Sequence, residues 1–247
     1  MKTILINCSP KKRFCASAYF LTLQRLFIRG DTVSERLRTK ADHGRILDEL
    51  RDARTVVFCL PLYVDGVPAH VLSFLEEMEA FCKENGLRPD VCCVANNGFI
   101  EGRQNEPLMQ TFAHFCAHAG LHWRGGVGIG GGVMLNVTRI VFVVQFALLL
   151  LNMVLSGVRT GNFFPAEPLK SFGLDAALLL YFNLGVLFYL ARMGRAVSRG
   201  EDCGKKYTRI LIPSFVFILF ADLFFIIISV FQGGIFRGWL AKKLPDE

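Results

Sequence analysis

No C-x-x-C pair occurs among the eight cysteines, Cys8, Cys15, Cys59, Cys82, Cys92, Cys93, Cys116 and Cys203. That spacing argues against zinc and disulfide frameworks. Several of these residues fall in predicted strands, where a reduced thiol behaves as a small buried hydrophobe. The N-terminus has no small-residue cleavage site behind an apolar core, because Lys11-Lys12-Arg13 follow a strand-length apolar stretch at once. The N-terminal half is therefore expected to stay on the cytoplasmic side. No basic helix interleaved with aromatics is present, so the net charge of +7 gives no reason to expect nucleic acid as a partner. His114, His118 and His122 recur at helical spacing beside Cys116, but no acidic residue accompanies them, and no metal is expected.

Charge is also missing from long stretches after Asn136. Residues Ile140 to Val158 carry no charged side chain, and at about 1.5 Å per residue such a helix crosses a hydrocarbon core of about 30 Å. Phe172 to Ala191 carries one charge, Asp175, and Ile210 to Phe231 carries one, Asp222. Three transmembrane helices are expected, at about 140–158, 172–191 and 210–231. The link between the second and third holds Arg192, Arg195, Arg199, Lys205, Lys206 and Arg209, whereas that between the first and second holds Arg159 and Lys170. A multi-pass protein of the cell membrane with a cytoplasmic head satisfies the positive-inside rule. The tail cations Arg237, Lys242 and Lys243 would then end outside. Gln145, Asn152, Asn183 and Asp222 are polar residues within these spans, and an Asp at membrane depth is a functional candidate by default. Asn152, Tyr181 and Asn183 are its expected partners. No His pairs at haem-ligand spacing occur in the spans.

Residues 1–136 read as one domain and 137–247 as a membrane region. The first part alternates strand signals (Thr3–Cys8, Thr32–Leu37, Thr55–Leu60, Asp90–Asn96, His122–Ile129) with helical periodicity (Ser17–Arg29, His43–Asp52, Ala69–Asn85, Gln104–Ala119). Strand runs such as Thr55-Val56-Val57-Phe58-Cys59-Leu60 are continuous, as in a parallel sheet covered on both faces. That pattern predicts a doubly wound α/β sandwich, whose ligands bind beyond the carboxyl ends of the strands.

Three loops then matter. After the first strand, Ser9-Pro10-Lys11-Lys12-Arg13 leads to a helix opening near Ser17. Two hydroxyls, three cations and the free N–H groups of a first helical turn are the parts of an anion pocket. The loop lacks a Gly-Lys-Ser/Thr ending and a G-x-G-x-x-G turn, which leaves a single terminal phosphate as the better fit. After the third strand comes Pro61-Leu62-Tyr63-Val64-Asp65-Gly66-Val67-Pro68, and after the fourth Asn96-Asn97-Gly98-Phe99-Ile100-Glu101. These offer stacking surface and amide hydrogen bonds to a flat heteroaromatic ring. A receiver-type phosphorylation domain would need acidic residues where Ser9-Pro10 and Leu60-Pro61 stand.

Ser9-Pro10-Lys11 with Ser17, Pro61-Leu62-Tyr63 with Pro68, and Asn96-Asn97-Gly98-Phe99 together resemble the flavodoxin-like NAD(P)H-dependent FMN reductases over residues 1–135. The resemblance implies a five-stranded parallel sheet of order 2-1-3-4-5, followed here by an all-α transmembrane region. It implies FMN held noncovalently: its phosphate by Ser9, Lys11 and Ser17, its ring along Pro61, Leu62, Tyr63 and Val64, its other edge against Asn96, Asn97, Gly98 and Phe99. Gly130-Gly131-Gly132 follows the fifth strand and is expected to border the same cavity. The expected activity is electron transfer from NAD(P)H through FMN to a small or membrane acceptor such as a quinone. No protein acid or nucleophile is nominated. Expected partners are a nicotinamide nucleotide, membrane lipid and a second copy in a homodimer. The alternative is a non-catalytic flavodoxin-like sensor module that regulates the membrane region.

One departure from the family is visible. The fifth helix of the head should begin near Val137, where the first charge-free span stands; Ile140–Val158 is then either that fifth helix inside the head or a helix that leaves for the bilayer. If that run leaves for the bilayer, one sheet face needs another cover.

Overall fold

The structure, a computed structural model, describes residues 2–231. The tail cations Arg237, Lys242 and Lys243 lie outside the described residues. A first compact unit ends at Leu211 and a second starts at Ile212.

In the first unit the elements run β1 (Lys2–Asn7), α1 (Ala16–Phe27), β2 (Asp31–Arg36), α2 (His43–Leu50), β3 (Ala53–Pro61), α3 (Ala69–Asn85), β4 (Asp90–Asn96), α4 (Glu106–Ala119), β5 (His122–Gly130), α5 (Gly132–Thr160), α6 (Ala166–Arg199) and β6 (Gly204–Arg209). All neighbouring strands are parallel. The sheet has six strands in the order β2-β1-β3-β4-β5-β6, so the expected five-stranded sheet is corrected by one. Its first five strands keep the flavodoxin-like order. The sixth comes from the cationic link between the two long helices and the last one. Gly204-Lys205-Lys206-Tyr207-Thr208-Arg209 reads as a solvated loop because it is an edge strand, where charged side chains are the rule.

The continuous apolar strands are buried on both faces. On one face Ile4, Ile6, Val56, Phe58, Leu60 and Val91 pack against Ile46 and Leu50 of α2, Phe74 and Met78 of α3, and Phe112 and Cys116 of α4. All eight cysteines are free and buried.

Across the other face lie α1 and, from an unexpected source, the second half of α6. Its buried residues Asn183, Val186, Leu190, Met193, Gly194 and Val197 recur at helical spacing and form one face. Tyr19 Oη on α1 donates to Asn183 Oδ1 at 2.9 Å, and the Arg29 N–H donates to Ser198 Oγ at 2.9 Å. Gly194 sits where a Cβ would stand 2.6 Å from the Phe27 carbonyl oxygen, so the absence of a side chain lets α6 approach α1. The cover that the sequence left unassigned is thus the returning arm of a helical hairpin.

That hairpin is α5 and α6. The α5 helix begins on the head, with Leu135 and Asn136 buried, and continues without a break through Ile140–Val158. There the large apolar residues Val143, Val144, Phe146, Leu148, Leu151 and Val154 are about half exposed. Three helices, Gly132–Thr160, Ala166–Arg199 and Ser214–Phe231, are long and apolar enough to cross a membrane by length and composition. Their most apolar stretches are 11%, 17% and 6% buried, so apolar surface on each is left uncovered by protein. The last of them, α7 (Ser214–Phe231), belongs to the second unit and carries Asp222.

Candidate functional site

The carboxyl ends of β1, β3 and β4 and the start of α5 meet around a cavity of about 180 Å³. It is lined by Ser9, Lys11, Phe14, Cys15, Ala16, Ser17, Pro61, Leu62, Tyr63, Asn96, Asn97, Gly98, Val133 and Asn136. The three loops singled out in the sequence therefore converge. Val64 and Phe99 stand outside this lining: Val64 is 102% exposed and Phe99 60% exposed. Of the expected glycine run, Gly130 ends β5 itself, and Gly132 opens α5 against Asn96, where a Cβ would stand 3.0 Å from the Asn96 Cβ.

One side of the cavity is built for an anion. Helix α1 begins after Cys15 with no side chain capping its first turn and no acidic residue in it. Its leading N–H groups are thus available at the positive end of the helix dipole. Ser9 and Ser17 are 3% and 1% exposed. The Lys11 N–H donates to Ser9 Oγ at 3.4 Å, and the Ser9 N–H to Asn7 Oδ1 at 3.1 Å, which folds the loop back on the strand end. Asn96 Nδ2 donates to Ser17 Oγ at 3.1 Å and to the Leu60 carbonyl at 3.0 Å. Both amide hydrogens of Asn96 are therefore used as struts, while the Ser17 hydroxyl keeps its own proton to donate. His70 on α3 donates through Nε2 to the Cys8 carbonyl at 3.0 Å, the only direction a carbonyl permits.

The other side is flat and apolar at Pro61, Leu62 and Tyr63. The chain then turns back through Val64 and Asp65, both at positive φ (46° and 56°). The Tyr63 N–H donates to the Gly66 carbonyl at 3.2 Å and the Gly66 N–H to the Tyr63 carbonyl at 2.9 Å, a two-residue reversal of the I′ pattern. Burial pushes the Tyr63 phenol upward, with the neighbouring Cys15 acting in the same direction, so the hydroxyl stays protonated near neutrality.

Two buried acceptors in the lining have no donor among the described residues: Asn97 Oδ1 and Asn136 Oδ1. Asn97 Nδ2 is held by the Glu101 carbonyl at 3.1 Å, and Asn136 Nδ2 by the Phe14 carbonyl at 2.8 Å. Buried acceptors without donors are uncommon in finished proteins and point to a missing partner. Asn136 and Val133 belong to the first two turns of α5. Sequence reasoning placed that helix in the membrane part, and the one available signal was the glycine run that lets α5 start beside Asn96. Phe14 and Cys15, in the loop after β1, join the lining without having carried a sequence signal for it.

The three histidines do not assemble. His118 faces Glu79 at 3.0 Å and His122 faces Asp90 at 3.4 Å. Among the described residues no group of three metal-ligating side chains occurs.

No family model matches the chain, and no curated protein matches it. Among solved structures it is similar to the Trp repressor binding protein from Bacillus subtilis, at 15% identity and TM-score 0.45 over 53% of this chain and 90% of that one. It is similar to an NAD(P)H:quinone oxidoreductase from Methanothermobacter marburgensis, at 12% identity and TM-score 0.45 over 56% and 92%. An azoreductase from Bacillus anthracis is matched at 12% identity and TM-score 0.41 over 78% of this chain and 99% of that one. The fold is read from the strand order itself, independently of these likenesses.

Proposed function

We propose that the chain is a membrane-anchored flavoprotein oxidoreductase that takes electrons from NAD(P)H and hands them to a small or membrane acceptor such as a quinone. The observation that carries this reading is the cavity: an uncapped helix start with two buried hydroxyls on one side, a flat apolar wall on the other, and two orphaned amide oxygens between. Those residues fit FMN. Ser9, Lys11, Ser17 and the first turn of α1 would hold the phosphate. Pro61, Leu62 and Tyr63 would face the ring, and Asn97 Oδ1 and Asn136 Oδ1 would accept from its N–H or ribityl hydroxyl groups. When bound, FMN supplies hydride acceptance from a nicotinamide and electron delivery to an acceptor. The chain's own part is to bind and orient. Asn96 fixes the Ser17 hydroxyl, and the partly exposed apolar wall of Pro61, Leu62 and Tyr63 offers a surface for one face of the ring.

Membrane anchoring is part of the same reading. Both ends of the α5–α6 hairpin are fixed at the head, because α5 follows β5 and α6 leads into β6 of the same sheet. The hairpin tip, with Arg159 and Lys170, then lies across the bilayer from Arg192, Arg195 and Arg199. That distribution favours a cytoplasmic head.

The test is the absorption spectrum of the full-length protein in mild detergent, with chromatography of the released chromophore. The expected result is the two-banded flavin spectrum, about one FMN per chain, and bleaching by NADH or NADPH without oxygen. A colourless protein that takes up no added FMN would overturn the reading.

A further inference from the structure

The tips of the three cavity loops each carry an exposed apolar side chain, and of these Phe14 alone also lines the cavity. Phe14, Val64 and Phe99 are 69%, 102% and 60% exposed, one on each loop after β1, β3 and β4. Two of them are held out by costly backbone: Phe14 has φ 53° and Val64 φ 46°. The left-handed region is uncommon for a bulky residue and an outlier for a β-branched one, and the I′ turn that Val64 occupies ordinarily takes Asn, Asp or Gly. Strain retained at an exposed apolar tip points to use of that tip. Beside Phe14 stand Lys12 and Arg13, both exposed, with no ion pair among the described residues. Of the two carboxylates on these loops, Glu101 pairs with Arg209 at 2.7 Å, which leaves Asp65.

The position of this edge follows from α5. Val133 and Asn136 line the cavity, and the charge-free run starts at Ile140 in the same unbroken helix. Four residues of helix rise about 6 Å. The headgroup layer on each side of a bilayer is roughly 5–8 Å deep. If α5 enters hydrocarbon at Ile140, the cavity rim sits at headgroup depth.

We propose that the loops at the carboxyl edge of the sheet rest on a bilayer surface containing anionic lipid, with Phe14, Val64 and Phe99 in the interfacial layer and Lys12 and Arg13 against the lipid phosphates. This rests on the reading of α5–α6 as a membrane hairpin. Apolar and aromatic tips favour the interface, and basic residues near a surface are drawn to anionic headgroups. The mouth of the cavity then opens where lipid and water meet.

Site-directed nitroxides on the full chain in vesicles test it. The eight native cysteines are buried, so an introduced exposed cysteine is labelled selectively. Labels go at Phe14→Cys, Val64→Cys and Phe99→Cys, at Leu148→Cys on the hairpin, and at Arg88→Cys at the opposite edge of the sheet. Collision with dissolved oxygen is compared with collision with a water-soluble nickel chelate, in phosphatidylcholine vesicles with and without phosphatidylglycerol. The expected result is oxygen-dominated relaxation at 148 and severalfold protection from nickel at 14, 64 and 99 relative to 88. That protection should fall in neutral vesicles and in a Lys12→Gln/Arg13→Gln background. If 148 is deep while the three tips behave like 88, the surface contact is overturned and the hairpin stands. If 148 also behaves like 88, the hairpin reading fails and the contact with it. Equal protection of the tips in neutral and anionic vesicles overturns anionic lipid as the partner.

Discussion

Asn136 Nδ2, on the second turn of α5, donates a 2.8 Å hydrogen bond to the carbonyl of Phe14, the residue at positive φ in the loop after β1. A residue at the foot of the apolar hairpin thus holds the loop that would receive a cofactor phosphate. Tyr19 extends the link: its hydroxyl donates to Asn183 on α6, and the Arg139 guanidinium of α5 lies over its ring at 5.1 Å. Helix α1, whose first turn faces the anion side of the cavity, is gripped by both arms of the hairpin.

Asn136→Ala should therefore weaken FMN binding without touching any group on the phosphate. The substitution removes both the strut to Phe14 and the Oδ1 acceptor assigned to the flavin; at about 0.5–1.5 kcal/mol for each buried neutral hydrogen bond, the dissociation constant should rise by roughly 5- to 160-fold. Asn136→Asp should cost more, because an ionised carboxylate cannot donate to the Phe14 carbonyl and adds negative charge beside an anion site. Titration of apoprotein with FMN, followed by quenching of flavin fluorescence, measures both.

Cutting the chain at residue 136 should destroy the head rather than release it. Val186, Leu190 and Met193 are completely or almost completely buried, and β6 covers the edge of β5. At about 1.5–3 kcal/mol per buried side chain, those three contribute roughly 5–9 kcal/mol. That is comparable with the whole stability of a typical domain, about 5–15 kcal/mol. A chain ending at Leu211 should keep a cooperative thermal transition in detergent, and one ending at residue 136 should show none.

The sheet was legible because its strands are continuous apolar runs. Asp90–Asn96 and Ala69–Asn85 coincide in prediction and structure, and the ends of the other early elements differ by three residues or fewer. The sixth strand was not legible, because edge position replaces apolar residues with Lys205, Lys206 and Arg209, and periodicity carries no signal there. The double duty of α6 was hidden for a related reason. Apolar residues left exposed and apolar residues facing α1 look alike in composition, and only the packing partner separates Leu178 from Leu190. In the cavity, the loop residues carried the turn chemistry that marks strand ends. Val133 and Asn136 carried none, since they sit inside a regular helix.

The close approach of α6 to α1 gives a further expectation. Gly194→Ala places a methyl carbon 2.6 Å from both the Cβ and the carbonyl oxygen of Phe27, and backbone cannot yield as a flexible side chain does. Overpacking of this kind costs about 1–3 kcal/mol, so the melting temperature should fall. Gly173→Ala on the same helix meets nothing within 4 Å and serves as the control. It should be neutral or gain up to about 1 kcal/mol from helix propensity. Equal behaviour of the two variants would remove Gly194 as the reason the helices meet.

Acid should loosen β6 before the rest of the sheet. Glu106, at the start of α4, contacts the Lys205 ammonium and the Tyr207 hydroxyl, both on β6. The Lys205 hydrogen bond is the largest cause holding the Glu106 carboxyl below its usual range, and Gln110 adds to it against a smaller opposing effect of burial. A carboxylate whose folded pKa is lowered contributes stability that is present above its unfolded value, about 4.3. That contribution is lost as pH falls through the folded value. Amide exchange over Gly204–Arg209 should therefore speed up, relative to β1 and β3, as pH drops from about 5 towards 3, after correction for intrinsic exchange. Glu106→Gln should already show the faster exchange at neutral pH and should flatten the acid limb, because the amide has no proton to gain. A β6 that loosens with acid just as steeply in Glu106→Gln would assign the effect to another carboxylate, with the Arg209 partner Glu101 the next to substitute.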